Sequence, residues 1–237
     1  TRLSRGLGDV YKRQVVHSTT KFLSGHGNAM GGAIVDSGTF DWAQNDKYPS
    51  LAQPEEAYHG LNFYESFGDL AYTTYGHAVG LRDLGPTMAP MNAYLTIMGI
   101  ETLALRMEKH VANAEVVANY LHNHAKVSWV SYAGLEESNY FHLAKKYLPK
   151  GAGSVFTFGI KGGYDAGVKF VEKCQLLSHL ANIGDTRSLV LHPASTTHRQ
   201  LTETQRISAG AGDDVIRLSI GLETVEDIIA DLEQALR

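Results

Sequence analysis

The sequence predicts an α/β protein, and three observations carry that expectation. Short apolar runs rich in β-branched residues recur between turn residues, as at 154–160 and 215–220. Segments with apolar residues three and four apart alternate with them, above all residues 90–123. No internal repeat or low-complexity stretch interrupts the alternation. The chain has 237 residues, enough for one large domain or two modest ones with real cores. Hydrophobic residues make up 43% and charged residues 19%, the balance of a soluble globular protein. The formal charge of −4 leaves no basic footprint, so no nucleic-acid partner is expected. No apolar run approaches the roughly 18 residues that span a bilayer, so no membrane association is expected. The lone cysteine, Cys174, excludes an internal disulfide framework and fits a reducing cytoplasm. It sits in a helix-like stretch and reads as a packing residue.

Taken in order, residues 1–14 carry neither a signal-peptide core nor a trustworthy amphipathic period. They read as a foreign leader, with the native frame continuing upstream; a disordered native terminus is the alternative. Val15–Val16 and residues 33–35 predict short buried strands flanking a glycine-rich turn at 24–32. Residues 41–68, rich in Pro, Tyr, Asn and Gly, predict a long irregular segment, of the kind that is functional or held by a partner. Residues 90–123 predict a helix that Gly99 breaks or bends. Strands follow at 127–132 and 154–160, the latter closed by Gly162-Gly163. A helix is expected at 165–177, a strand at 215–220, and a helix at 224–236 with Thr224 as N-cap. A domain boundary is expected near residues 95–110.

Two stretches carry chemistry. The first is Ser18-Thr-Thr-Lys-Phe-Leu-Ser-Gly-His-Gly-Asn-Ala-Met-Gly-Gly. A lysine that attacks a carbonyl must be partly desolvated. Lys21 follows Thr20 by one residue and Ser18 by three, a spacing that puts both hydroxyls on one face of an extended chain. The glycines allow close backbone approach. Their order is neither GxxxxGK[ST] nor GxGxxG, which argues against a nucleotide site. On spacing alone, a surface lysine beside a tight turn is the stronger reading of Lys21. The second stretch joins Ser188-Leu-Val-Leu-His-Pro-Ala-Ser-Thr-Thr-His to Ile216-Arg217-Leu218-Ser219. An arginine within an apolar strand needs a carboxylate, either a ligand's or that of Glu223 or Asp214. His192, Ser195, Thr196 and His198 read as loop-shaping groups. His122 and His124 form an HxH pair without a third metal ligand nearby.

Ser18-Thr19-Thr20-Lys21 followed by Gly25-His26-Gly27 resembles the lysine motif of the Cys/Met metabolism pyridoxal-phosphate enzymes, the cystathionine γ-synthase-like family. The resemblance runs from Val15 to Arg237. It implies the C-terminal part of a fold type I pyridoxal-phosphate transferase, with residues 15–100 the remnant of the large domain and 101–237 the smaller α/β domain. It implies pyridoxal 5′-phosphate held by Lys21, with Ser18 and Thr20 on its phosphate, and a substrate carboxylate bound by Arg217 and Ser188. The insert from Phe40 to Gly68, Leu81-Arg-Asp-Leu-Gly-Pro and Ser178-His-Leu-Ala-Asn-Ile-Gly-Asp resemble the O-acetylhomoserine sulfhydrylase branch. That branch implies γ-replacement, in which sulfide or methanethiol displaces acetate from O-acetyl-L-homoserine, by a cytoplasmic dimer of dimers. The family's pyridine-nitrogen aspartate, stacking aromatic and phosphate loop lie upstream of the lysine, and nothing before Lys21 matches them. The chain is therefore expected to be an incomplete fragment, inactive when isolated. The rival readings are a non-catalytic C-terminal module and, among enzymes, a γ-lyase or γ-synthase.

Overall fold

The computed structural model describes residues 14–237. These fall into two compact units, residues 14–19 with 31–93 and residues 20–30 with 94–237. The expected leader lies outside the described residues except for Gln14, which opens the first strand.

In the first unit, β1 (Gln14–Ser18) pairs antiparallel with β2 (Gly32–Asp36), Val15 opposite Val35 and Val16 opposite Ile34. Both strands were expected to be buried. Instead Val16, Ile34 and Val35 are 70%, 53% and 60% exposed, because a two-stranded ribbon cannot cover its own faces. The segment read as irregular holds short helices: α1 (Pro49–Ala52), α2 (Phe63–Phe67) and, just beyond it, α3 (Ala71–Tyr75). Each is too short for a helical period to register in the sequence. They enclose an aromatic core of Phe40, Trp42, Leu51, Phe63 and Ala71. Trp42 stacks on Tyr72 at 5.4 Å between ring centres, and Phe40 meets Trp42 edge-on at 4.6 Å. Asn62 caps α2 by accepting from Glu65 N and ties it to α1 by donating to Ala52 O.

The chain continues through α4 (Pro90–Glu101) and α5 (Leu103–His122). The break falls at Thr102 rather than at Gly99. Gly99 serves a different purpose: a Cβ there would lie 2.2 Å from the Ser24 carbonyl oxygen. Then come β3 (Val127–Ser131), α6 (Phe141–Tyr147), β4 (Val155–Ile160), α7 (Gly163–Lys173), β5 (Ser178–His179), β6 (Leu189–Leu191), α8 (Glu203–Ser208), β7 (Val215–Ser219) and α9 (Val225–Leu236). The five strands lie in the order β3-β4-β7-β6-β5, antiparallel except for the β5–β6 pair. Phe156, Phe158, Val190, Ile216, Leu218 and Ile220 form one core with α5, α7 and α9, which contribute Val117, Leu121, Phe170, Ile228 and Leu232. Strand alternation sends Arg217 to the opposite face from Ile216 and Leu218, opposite Thr157 on β4 and Leu191 on β6. Cys174 lies partly buried against this core, and burial pushes its thiol up to about 12, as a packing role requires.

Thr224 does precede α9, but only its backbone oxygen takes part, accepting from Asp227 N and Ile228 N. A stronger terminus was not foreseen. Asp231, 6% exposed, accepts from the backbone N–H groups of Gln175, Leu176 and Leu177 and so fixes the exit from α7. Burial alone would raise its carboxyl, but these donors and Gln234 outweigh it and hold it below the usual range. A depressed carboxyl stabilises the fold above its unfolded value, and that contribution is lost as pH falls through the folded value. Asp231→Asn turns an NH₂ towards those donors, and is expected to cost about 1.5–3 kcal/mol at neutral pH. The deficit against wild type is expected to shrink under acid, as read by denaturant unfolding at each pH.

Candidate functional site

Lys21 stands in a turn that belongs to the second unit. Gly25 N donates to Lys21 O, and Thr186 N donates to Gly25 O, both at 2.8 Å. Three glycines make the approach possible, all at positive φ. A Cβ at Gly25 would meet the Arg106 guanidinium, one at Gly27 the Asp185 carboxylate, and one at Gly184 the Phe22 amide nitrogen. Asp185, 2% exposed, is itself held by Arg187 at 3.0 Å. Burial would raise Asp185, but the Arg187 side chain and backbone hold it below its usual value.

Half-buried, Lys21 donates from Nζ to the Asn182 amide oxygen at 2.5 Å, and Arg217 donates from Nη2 to the Asn182 backbone oxygen at 3.3 Å. Two cations thus converge on one neutral residue. Neither takes part in any ion pair among the described residues. Burial pushes the Arg217 guanidinium below its ordinary value, as expected of a charge without a carboxylate partner. The two candidate internal partners are engaged elsewhere: Asp214 accepts from Trp129 Nε1, and Glu223 accepts from Ser188. The arrangement can receive a carboxylate, with an amine beside it.

The remaining sequence candidates lie differently. Ser18 ends β1 and is exposed, while Thr19 and Thr20 already turn, so the extended-strand argument for pairing Ser18 with Thr20 stops at Ser18. Thr19, 3% exposed, has a hydroxyl with no partner among the described residues and was passed over. Ser188 is fully buried. Its hydroxyl donates to Glu223 at 2.8 Å and accepts from Gly221 N at 2.8 Å, so it braces the loop after β7 instead of facing an open site. Ser188→Ala is expected to cost about 1.5–3 kcal/mol of fold stability. A lowered unfolding midpoint is the expected result; an unchanged midpoint with a raised KM would return Ser188 to the substrate. His192, fully buried, contacts Ser195 Oγ and Asp213 O, both at 2.9 Å, which shapes the loop after β6. His122 and His124 lie 3.8 and 3.3 Å from Glu137 and Glu233. Asn182 is the residue that sequence reasoning missed; the signal was Gly184 two residues on, which marks a close backbone approach.

Residues 13–237 match the family model described as Cys/Met metabolism PLP-dependent enzyme. The chain is 51% identical over 223 residues to a homocysteine synthase of Schizosaccharomyces pombe, covering 94% of this chain and 52% of that one. It is 48% identical over 232 residues to an O-acetyl-L-homoserine sulfhydrylase of Leptospira meyeri, with the same coverage. A crystal structure described as an O-acetylhomoserine (thiol)-lyase of Campylobacter jejuni, which contains a pyridoxyl-lysine monophosphate, superposes with a TM-score of 0.89 at 42% identity, covering 94% of this chain and 53% of that one. The chain spans about half the length of the curated relatives it matches.

Proposed function

Because the chain belongs to the Cys/Met metabolism PLP-dependent enzyme family, we propose that it carries the lysine and carboxylate subsites of an enzyme for γ-replacement on O-acetyl-L-homoserine. Sulfide or methanethiol is the incoming nucleophile, acetate the leaving group, and homocysteine or methionine the product. The observation that carries the reading is the convergence of Lys21 and Arg217 on Asn182 without an internal carboxylate. The relatives named for sulfhydrylase and homocysteine synthase activity support it. A homo-oligomer, a dimer of dimers, is the proposed assembly.

The residues present fit pyridoxal 5′-phosphate. Lys21 is half-buried and bonded to a neutral amide rather than to a carboxylate, the setting of an amine that joins a carbonyl. The proposed phosphate contacts are the Ser18 and Thr20 hydroxyls. When bound, the cofactor supplies the electron sink that makes the C–H bonds next to the substrate amine acidic. This chain's own residues do the rest. Arg217 binds the substrate carboxylate with its planar fork and holds the Cα–H bond in one orientation. Lys21 Nζ takes the proton from Cα and handles the proton at Cβ as acetate leaves and the thiol adds at Cγ. Asn182 holds both side chains in place until the substrate carboxylate arrives. Ser188 acts one step removed, by fixing Glu223 and Gly221.

The test is acetate release by the cofactor-loaded enzyme with and without sulfide. Acetate and homocysteine are expected in equal amounts, with release depending on thiol. Acetate and ammonia released at the same rate without thiol would make the enzyme a γ-lyase and overturn the reading.

A further inference from the structure

The buried face of α5 changes chemistry along its length. Arg106, His110, Asn113, Val117 and Leu121 follow one another at helical spacing and share a face. All five are buried, none more than 6% exposed. Val117 and Leu121 join the apolar core under the sheet. The first three are polar, and apart from the Arg106 Nε bond to Thr102 their hydrogen bonds go to main-chain carbonyls. Arg106 Nη2 donates to Leu23 O at 3.3 Å and to Gly99 O at 2.6 Å. His110 Nδ1 faces Ile220 O at 2.6 Å and must be the donor, since a carbonyl cannot donate. Asn113 Nδ2 donates to Gly221 O at 3.0 Å and Glu223 O at 2.9 Å.

Apart from Gly99 O, which lies on α4, those carbonyls belong to the two segments that carry the site. Leu23 is two residues beyond Lys21, and Ile220, Gly221 and Glu223 follow Arg217 closely in sequence. His110 bridges the two, because its ring also meets Phe22, the neighbour of Lys21, edge-on at 5.5 Å. Gly25 belongs to the same device: a Cβ there would sit 2.2 Å from Arg106 Nη1. The stripe is costly for packing alone. Arg106 has no carboxylate partner among the described residues, and Arg106 Nη1 and His110 Nε2 find no hydrogen-bond partner there. Apolar side chains of similar volume would fill such a face more cheaply. What they could not provide is directional hold on backbone.

We infer that Arg106, His110 and Asn113 are positioning residues, a polar stripe on α5 that sets where the Lys21 amine stands relative to the Arg217 guanidinium. The inference rests on the γ-replacement reading above. It assigns the two ends of the stripe different kinetic signatures. Displacing the lysine by about 1 Å costs on the order of 10²-fold in proton transfer. Displacing the arginine weakens capture of the carboxylate.

The test uses the cofactor-loaded enzyme with Arg106→Lys, His110→Phe, Asn113→Ala and, as a packing control on the same face, Val117→Ala. Arg106→Lys is expected to lower kcat by about 10- to 100-fold with KM for the amino-acid substrate little changed, and His110→Phe, which keeps a ring beside Phe22 but loses the donor to Ile220 O, to raise KM. Asn113→Ala is expected mainly to raise KM. Val117→Ala is expected to lower the unfolding midpoint and move neither constant. Amide hydrogen exchange supplies a readout free of turnover. Arg106→Lys is expected to speed exchange in peptides covering 21–27, and Asn113→Ala in those covering 219–223, with β4 still protected. Exchange that rises evenly over the fold, or activity lost only in step with stability as in Val117→Ala, overturns the inference. If the full-length wild type that carries this chain performs no γ-replacement, the reaction reading falls by itself, and the exchange pattern alone decides the positioning.

Discussion

Replacing Lys21 by alanine is expected to cut turnover of the cofactor-loaded enzyme by at least roughly 10²- to 10⁴-fold, the usual contribution of a positioned acid–base group. The amine stands 2.5 Å from the Asn182 amide oxygen, in a turn held by Gly25 N and by Thr186 N, so its position is set by the chain around it. The next lysine in the chain, Lys47, lies in the other unit. The loss is expected in kcat more than in KM, because Arg217 still captures the carboxylate. Borohydride reduction of wild type followed by peptide mapping is expected to leave the pyridoxyl group on the Lys21 peptide. A pyridoxyl group recovered on Lys47, or a Lys21→Ala enzyme within tenfold of wild type, would remove Lys21 from the chemistry.

Arg217→Ala is expected to lower kcat/KM for O-acetyl-L-homoserine by about 2–5 kcal/mol, the range for truncating one partner of a desolvated, hydrogen-bonded charge pair. The guanidinium stands on the face of β7 opposite Ile216 and Leu218, between Thr157 and Leu191, and among the described residues only the Asn182 carbonyl accepts from it. A residue so placed gives up little internal bonding when it binds a ligand anion. Arg217→Lys is expected to recover only part of the loss, since an ammonium cannot reproduce a two-pronged contact. Activity of Arg217→Ala within about threefold of wild type, under ~1 kcal/mol, would make Arg217 a structural residue.

Lys21 and Arg217 stand out in the sequence as candidates because each breaks a local pattern: a lysine among hydroxyls and glycines, and a charge in an apolar strand. Asn182 does not, since its part is played by one amide and one backbone oxygen in a stretch without periodicity. Glu223 was weighed as a partner for Arg217, yet it turns to Ser188, a choice set by pairing across the sheet that no spacing encodes. The longer elements were legible too: β4, β7, α5 and α9 carry enough residues for a period to show. Two- and three-residue strands such as β5 and β6 do not. The Thr202–Gln205 capping box that starts α8 was also overlooked, although its residue types are a known signal. The polar face of α5 was hidden by its regularity, because Arg106, His110 and Asn113 continue the same spacing as the apolar Val117 and Leu121.

The strand order of the five-stranded sheet has a consequence for how the chain reaches this state. β7 lies between β4 and β6 but follows both in the chain, pairing Val155 with Ser219 and Leu189 with Ser219. Until residues 215–219 dock, β3–β4 and β5–β6 are separate ribbons, each with an unpaired edge open to other chains. Closing the sheet is a long-range step that pays its loop entropy late, a topology that folds slowly. The same event delivers Arg217. The carboxylate subsite proposed for this unit is therefore completed only at sheet closure, and an ensemble with a half-built sheet lacks the arginine that defines it.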